Sequence, residues 1–344
     1  MTTPDLRRYQ RQIIFRELGE EGQRKLLASR VAVVGVGATG STIANWLVRA
    51  GVGYVRLIDR DFVELHNLHR QSIYDEDDVR EGLPKAVAAA RKLARVNSDV
   101  QVEPVVADFN PDNALELVEG VDLIMDGSDN FFTRYLINDV SLYKNIPWVY
   151  TGALAAYGSS ATFIPHDGAC FRCIFDTMPA PGQGETCETV GVLGPVVGVI
   201  ASFSAGEGMK VLTGMGKLNR GLIYFDLLAN SWDAFQVERR PDCPACGQGK
   251  YEFLHADVGT WITRLCGRDT VQILVRTEKP IDLKALAERL RNHPDVQDLT
   301  LNEYLLRFRV DGREITLFPD ARAIIKGVRD EEEAKSLYAR FVGY

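Results

Sequence analysis

Two groups of residues in this sequence could do chemistry. The first is four cysteines in two Cys-x-x-Cys pairs, Cys170/Cys173 and Cys243/Cys246. Four thiolates spaced in this way suit a tetrahedral zinc ion in a closed site, which supports folding and carries out no reaction. The second group begins at Asp59, roughly twenty residues past a Gly35-x-Gly37-x-x-Gly40 turn, where an acid can reach a nucleotide ribose. Asp61, His66, Asn67, Arg70 and Gln71 crowd in just beyond it. A glycine turn with a ribose acid serves NAD or ATP equally well. The second carboxylate and the Asn-x-x-Arg-Gln cluster are superfluous to hydride transfer. They are useful where an enzyme reacts at a triphosphate, because an arginine must meet the phosphates and polar groups must lie near the metal.

These residues need a frame. Val31 to Val34 is an apolar run ending in the glycine turn, and Ser41 to Ala50 carries apolar residues at Ile43, Ala44, Leu47 and Ala50, the helical period. Tyr54 to Ile58 is a second apolar run that delivers Asp59. Together they form a βαβ unit, in which backbone N–H groups of Gly35, Gly37, Ala38 and Gly40 approach a phosphate at a helix N-terminus. Further strands are expected at 102–106, 121–125 and 147–152, an antiparallel one at 158–164, and helices at 20–28, 86–94, 111–118 and 192–212. The fold class is therefore α/β: a doubly wound, mostly parallel, Rossmann-like sheet with a structural zinc clip. Beyond about Leu254 the pattern changes to a small α+β domain. It has strands at 271–276, 296–301, 304–310 and 314–318, helices at 283–290 and 330–341, and Asp311-Gly312 as a hairpin turn. The expected domains are 1–250 and 255–344.

Composition narrows the class. Hydrophobic residues at 46% and charged residues at 25% describe an ordinary globular protein of 344 residues, long enough for two domains. A net charge of −7 argues against nucleic-acid binding. The N-terminus is no signal peptide, and Val190 to Ala205, broken by Gly191, Gly194, Pro195 and Gly198, is too interrupted to span a membrane. A cytoplasmic location is expected, with the six cysteines not in disulfides.

From the glycine turn through Asp59-x-Asp61 to Asn67-Leu68-His69-Arg70-Gln71, the chain resembles the ThiF/MoeB adenylyltransferases, relatives of the ubiquitin-activating enzymes. The resemblance covers about residues 7 to 250. One departure is Gly-Val-Gly-Ala-Thr-Gly, with Ala38 and Thr39 where the family usually has Gly and Leu. The resemblance implies further assignments. In Arg8-Tyr9-Gln10-Arg11-Gln12, which on composition alone is a solvated basic face, Arg11 would reach a partner subunit's triphosphate across a homodimer. Lys85 of Gly82-Leu83-Pro84-Lys85, by position alone an exposed lysine opening a helix, would meet the phosphates. In Asp126-Gly127-Ser128-Asp129-Asn130, where Asp129 or Asn130 could equally cap a helix, Asp129 would sit by Mg²⁺. Cys187 of Thr186-Cys187-Glu188 lies in a glycine- and proline-marked loop from Pro179. It is either an unreactive thiol or one that bonds a carrier protein or relays sulfur.

What the resemblance implies about activity is adenylation of the C-terminal glycine of a small ubiquitin-like sulfur-carrier protein ending in Gly-Gly. ATP, Mg²⁺ and structural Zn²⁺ would be the cofactors, and a sulfurtransferase or cysteine desulfurase a further partner. Rival readings are a conjugating enzyme that forms a thioester through Cys187, an NAD-dependent oxidoreductase, and a non-catalytic dimer scaffold. The tail resembles an extension on some bacterial members, through Phe318-Pro319-Asp320 and Leu337-Tyr338-Ala339-Arg340. Cys266-Gly267-Arg268-Asp269 lacks a rhodanese's arginine-rich loop and Cys266 reads as a core or loop thiol.

Overall fold

The computed structural model describes residues 5–178, 187–256, 261–264, 269–275 and 280–343, the side chains of 187, 188, 261–264 and 274 excepted. The loop expected over 179–186 and Cys266 lie outside the described residues. The chain divides into two compact units, Met1–Ala256 and Asp257–Tyr344.

In the first unit the strands are β1 (Arg30–Val34), β2 (Tyr54–Ile58), β3 (Gln101–Val105), β4 (Leu123–Asp126), β5 (Trp148–Leu154), β6 (Tyr157–Phe163), β7 (Leu222–Asp226) and β8 (Ser231–Phe235). They form one sheet in the order β3-β2-β1-β4-β5-β6-β7-β8. The pairs from β3 to β5 are parallel, and those from β5 to β8 are antiparallel. Strand order reverses between β1 and β4, and ligands of open α/β sheets bind outside the carboxyl ends of strands at such a point.

The helices follow from the same local rules. They are α1 (Gln10–Ile13), α2 (Gly19–Ala28), α3 (Ala38–Ala50), α4 (Glu76–Glu81), α5 (Lys85–Val96), α6 (Ala114–Leu117), α7 (Phe131–Lys144), α8 (Phe171–Ile174), α9 (Cys187–Val190) and α10 (Gly194–Thr213). Side chains alternate across β1, so Val31 and Val33 enter one core with Ile43, Leu47, Ala89 and Ala201. Ala32 and Val34 enter the other, with Tyr135, Val140 and Trp148. Helices thus cover both faces, and the sheet's central strands are buried.

Several features differ from the sequence expectation, among them the helix expected at 111–118, which spans only Ala114–Leu117. Pro84 caps α5 in an extended conformation instead of starting it, so Lys85 is the first helical residue. Cys187 opens the short α9 and does not directly precede the long helix, because Gly191 turns left-handed at φ +77° and the chain bridges to Ala155 before α10 begins. The glycines of the 190–205 stretch also do not interrupt it as expected. Gly194 and Pro195 start α10, which is long and apolar enough, by length and composition, to cross a membrane. Its middle nevertheless carries a buried Glu207, whose Oε2 accepts from Thr162 Oγ1 at 3.0 Å and Asn219 N–H at 2.8 Å. That polar anchor belongs to a core helix packed on a sheet.

One buried acid makes the fold sensitive to pH. Asp139 of α7 is fully buried and accepts Phe253 N–H at 2.9 Å. Burial pushes its carboxyl up to about 6, against the backbone N–H donors of Phe253 and Leu254. The folded state therefore binds a proton that the unfolded chain, titrating near 4, has released. Stability from this group is present below the unfolded value and falls as pH rises from about 4 to about 6. Asp139→Asn keeps a carbonyl for Phe253 N–H. It is expected to flatten that slope and to raise Tm at pH 7 by a few degrees, about 2–4 °C per kcal/mol, measured by thermal melts across pH.

The second unit is an antiparallel sheet in the order β11-β12-β13-β14-β10-β9. Its strands are β9 (Trp261–Arg264), β10 (Thr270–Leu274), β11 (Val296–Leu301), β12 (Leu306–Val310), β13 (Arg313–Leu317) and β14 (Ala323–Lys326). Helices α11 (Leu283–Arg291) and α12 (Glu331–Phe341) bury Leu286, Leu290, Leu337 and Phe341 in the same core as Phe308, Ile315 and Ile325. Asp311 and Gly312 both have positive φ, 49° and 76°, as a two-residue hairpin turn requires.

Candidate functional site

The rim of the sheet at β1, β2 and β4 is built by close backbone approach. A Cβ at Gly40 would meet Gly35 O at 1.9 Å, and one at Gly127 would meet Gly35 O at 2.3 Å. Gly35 itself lies at φ +82°. Three glycines thus let the turn after β1 press against the turn after β4. Gly37 differs: a Cβ there would have only Gln71 Nε2 near it, at 3.8 Å. Its front is open, and it caps α3 with no side-chain hydrogen bond. Ala38 begins α3, so the first-turn N–H groups face the opening, as an anion site requires.

Asp59 closes the turn from the β2 side. Its Oδ2 accepts Val36 N–H at 2.7 Å and its Oδ1 accepts Asp61 N–H at 2.7 Å. Burial raises its carboxyl; Lys85 opposes that and Asp61 adds to it. Lys85 Nζ donates to Asp61 Oδ2 at 3.1 Å and is itself buried. Burial works against its charge, but Asp61, Asp59 and Asp129 outweigh it and hold the ammonium above its ordinary range. The charge of Asp129 likewise supports Arg60 and Arg134. Lys85, Asp59, Asp61 and Asp129 are thus brought together at the β1/β4 reversal.

Asp129 is exposed and makes no hydrogen bond or ion pair among the described residues, which leaves both oxygens for a ligand. Asn130 is occupied: its Oδ1 accepts Thr133 N–H at 2.8 Å and caps α7. Asn67 is buried, and its Oδ1 accepts Glu64 N–H at 3.0 Å, holding the turn that presents Arg70. Arg70 donates to His66 O at 2.9 Å and has no carboxylate partner among the described residues. The neighbouring Gln71 is 3% exposed, and its Oε1 is buried without a hydrogen-bond partner beside the glycine turn. A buried acceptor left unmatched fits a site that a polar ligand completes.

Arg11 is not part of this gathering. It is exposed, and the adjacent Gln12 donates to Ala50 O at 2.9 Å, at the far end of α3. A 13-residue helix at 1.5 Å per residue puts that end about 18 Å from the glycine turn. Cys187 is the first residue of α9, and its side chain lies outside the described residues.

Four residues that build this rim, Arg134, Asp126, Arg60 and Tyr74, have no role that the sequence alone assigns. Buried Arg134 donates to Asp126 Oδ2 at 3.1 Å and to Ser128 O at 2.8 Å, bracing the turn that carries Asp129. Burial raises the Asp126 carboxyl, opposed by Arg134 and Ser128. Arg60 pairs with Asp108 at 2.9 Å across the ends of β2 and β3. Tyr74 is buried against the glycine turn. The signal available was slight: an arginine one turn into α7, and another between the two acids at 59 and 61.

The four knuckle cysteines do meet. Cys170 and Cys243 Sγ atoms are 3.6 Å apart, Cys173 and Cys246 3.5 Å, and Cys170 and Cys173 4.0 Å. All four lie within 4.8 Å of one another. A tetrahedron with arms of 2.3 Å has edges of about 3.8 Å, so the cluster fits zinc. Arg240 N–H donates to Cys173 Sγ at 3.4 Å, a contact that favours a thiolate there.

Residues 9–245 match the model of the ThiF family. Over 338 residues, 98% of this chain and 99% of the relative, the sequence is 40% identical to the sulfur carrier protein ThiS adenylyltransferase of Bacillus subtilis. It is 43% identical over 245 residues, 71% of this chain and 90% of the relative, to the SAMP-activating enzyme E1 of Haloferax volcanii. Among solved structures, Escherichia coli MccB aligns with a TM-score of 0.62 at 23% identity over 71% of this chain and 75% of that one, a likeness of fold.

Proposed function

The chain belongs to the ThiF family, and on that premise we propose that it uses ATP to adenylate the C-terminal glycine of a small ubiquitin-like sulfur-carrier protein ending in Gly-Gly. The observation that carries the proposal is the convergence of Lys85, Asp59, Asp61 and Asp129 on the open N-terminus of α3. An oxidoreductase has no use for that buried lysine among three acids.

In this proposal the carrier's terminal carboxylate attacks the α-phosphorus of ATP, a C(O)O–P bond forms, and the bond to the bridging oxygen breaks with loss of pyrophosphate. The carboxylate is already ionised at neutral pH, so no general base is needed. Asp59 would hold the ribose, the N–H groups of the glycine turn would meet the phosphates, and Lys85 and Arg70 would neutralise the departing pyrophosphate. Lys85 would exchange its bond to Asp61 for a phosphate oxygen. Asp129, an unengaged hard donor, fits Mg²⁺, which would supply charge neutralisation to the polyphosphate. The cysteine cluster would hold structural zinc. A sulfurtransferase or cysteine desulfurase would then supply the sulfur that displaces AMP, in the cytoplasm, where thiols stay reduced.

The experiment is ATP–pyrophosphate exchange against a panel of diglycine-tailed carriers. Exchange with one of them is expected. Tight NAD binding and no exchange would overturn the proposal. A second reading has a specific support in the relative named an activating enzyme E1: a thioester of the carrier on Cys187. A carrier adduct that survives a phosphine reductant, is cleaved by thiols and is lost in Cys187→Ser would establish it.

The proposed enzyme is a homodimer. Trp46 of α3, Val199 of α10 and Trp232 of β8 are 40–47% exposed. Trp46 Nε1 donates to Ser202 at 2.9 Å, and the Phe203 and Trp232 rings lie 5.2 Å apart, so the residues form one apolar surface suited to a partner. Arg11, remote from its own rim, would then act on the other subunit's ATP. Arg11→Ala and Asp129→Ala proteins are each expected to be inactive, and mixing them after dissociation to recover about a quarter of wild-type exchange, since half the pairs form one intact site. No recovery would put Arg11 in its own subunit's site, and an active Arg11→Ala protein would put it outside both.

A further inference from the structure

The glycine turn is gripped at a single residue from two directions. Asp59 takes Val36 N–H, and the Tyr74 hydroxyl lies 2.6 Å from Val36 O and 3.1 Å from Lys85 O. Both acceptors are backbone carbonyls, so the phenol is the donor and shares its one proton between them, with the shorter arm to Val36. Val36 is fully buried, Tyr74 is 5% exposed, and no solvent replaces that donor. Burial, together with the charges of Asp59 and Asp78, keeps the phenol protonated at any working pH.

The consequence lies on the other side of the peptide. Val36 C=O and Gly37 N–H belong to one planar trans unit, in which the two groups point in opposite directions. Fixing the carbonyl toward Tyr74 fixes the N–H away from it, and that N–H, one residue before α3, has no acceptor among the described residues. The same hydroxyl ties that peptide to the first residue of α5, whose side chain is Lys85. Tyr74 therefore links the two elements that face the phosphates.

We infer that Tyr74 is a positioning residue: through Val36 O and Lys85 O it aims Gly37 N–H and the Lys85 helix at the polyphosphate of a bound nucleoside triphosphate. The inference rests on the proposed use of ATP and not on which carrier is adenylated.

The test is equilibrium binding of Mg·ATP and of adenosine to the full-length wild-type and Tyr74→Phe proteins, by calorimetry. The phenylalanine protein is expected to lose about tenfold in ATP affinity, the worth of one well-placed hydrogen bond, and less than twofold in adenosine affinity. Installing 4-aminophenylalanine at position 74, which returns an N–H donor, should restore most of the ATP affinity. Equal losses for both ligands would make Tyr74 a packing residue only and overturn the inference. So would unchanged ATP affinity, or a failure of the amine to rescue. A wild-type protein that binds adenosine and ATP equally well would instead overturn the ATP reading, and a wild-type protein that binds ATP but shows no exchange would overturn only the carrier reading.

Discussion

Asp129→Ala is expected to lower carrier-dependent ATP–pyrophosphate exchange by about 10²–10³-fold, the loss typical when one fixed electrostatic partner of the transition state is removed. The physical case is the contrast between this carboxylate and its neighbours. Asp126 is buried and bonded to Arg134 and Ser128, and Asn130 caps α7. Asp129 alone of the three is exposed and unengaged, while its charge supports Lys85, Arg60 and Arg134. Removing it deletes no packing and no hydrogen bond, only a charge beside Lys85, Arg60 and Arg134, so the protein should stay folded with a small loss of Tm and with zinc content unchanged. Asn130→Ala supplies the complementary outcome: a lost cap costs about 1 kcal/mol of stability, with exchange retained in the folded protein. If Asp129→Ala kept wild-type exchange, the metal assignment at this rim would be wrong.

How much of this was legible in the sequence depends on how local each feature is. The β1–α3–β2 unit is written within one contiguous stretch, Arg30 to Ile58, and its glycines carry geometric demands that hold in any context: Gly40 cannot bear a Cβ 1.9 Å from Gly35 O. The hairpin at Asp311-Gly312 is equally local, because both residues must take positive φ. The bracing of the rim is not local. Arg134 matters because Asp126 and Thr151 come to it from other elements, and Tyr74 because Val36 and Lys85 do. An isolated tyrosine or arginine in a helical or turn pattern says nothing of this. Strands β7, β8, β9 and β14 went unread for a related reason. β7 and β8 form the antiparallel end of the sheet, where Ser231 to Phe235 is largely exposed and its alternation, Trp232 and Ala234 only, is too short to give it away. Asn67 and Asn130 show the converse: the motif marks them, and the structure gives each a backbone to cap.

Replacing Cys243 with alanine, or stripping zinc with a strong chelator at moderate temperature, is expected to unfold much of the first unit, with a Tm loss above about 10 °C. Structural zinc in small domains contributes apparent free energies of about 10–16 kcal/mol at neutral pH, as much as the whole stability of a typical domain. The clip joins segments that are far apart in sequence: Cys170 caps α8 and Cys173 lies within it, shortly after β6, and Cys243 and Cys246 follow β8. The fold leans on both ends of that joint. Asn138 of α7 accepts Phe171 N–H at 2.9 Å and Asp139 accepts Phe253 N–H, so the knuckles and the segment after them are fastened to the helix that Asn130 caps and Arg134 braces. Four thiols this close also resist ionising together without a cation: burial and the neighbouring sulfurs raise Cys246 to about 11. No cysteine of the cluster is among the groups that act on Lys85 and Asp59 at the rim, so zinc loss should act through stability alone. At a temperature where part of the Cys243→Ala protein remains folded, exchange per folded molecule should match wild type, whereas Asp129→Ala should be folded and inactive. One zinc per chain by elemental analysis, with circular dichroism and exchange followed during chelation, separates the two. Retained folding after complete zinc removal would leave the cysteine cluster without its structural role, and loss of exchange before any loss of ellipticity would tie the metal to the chemistry at the rim.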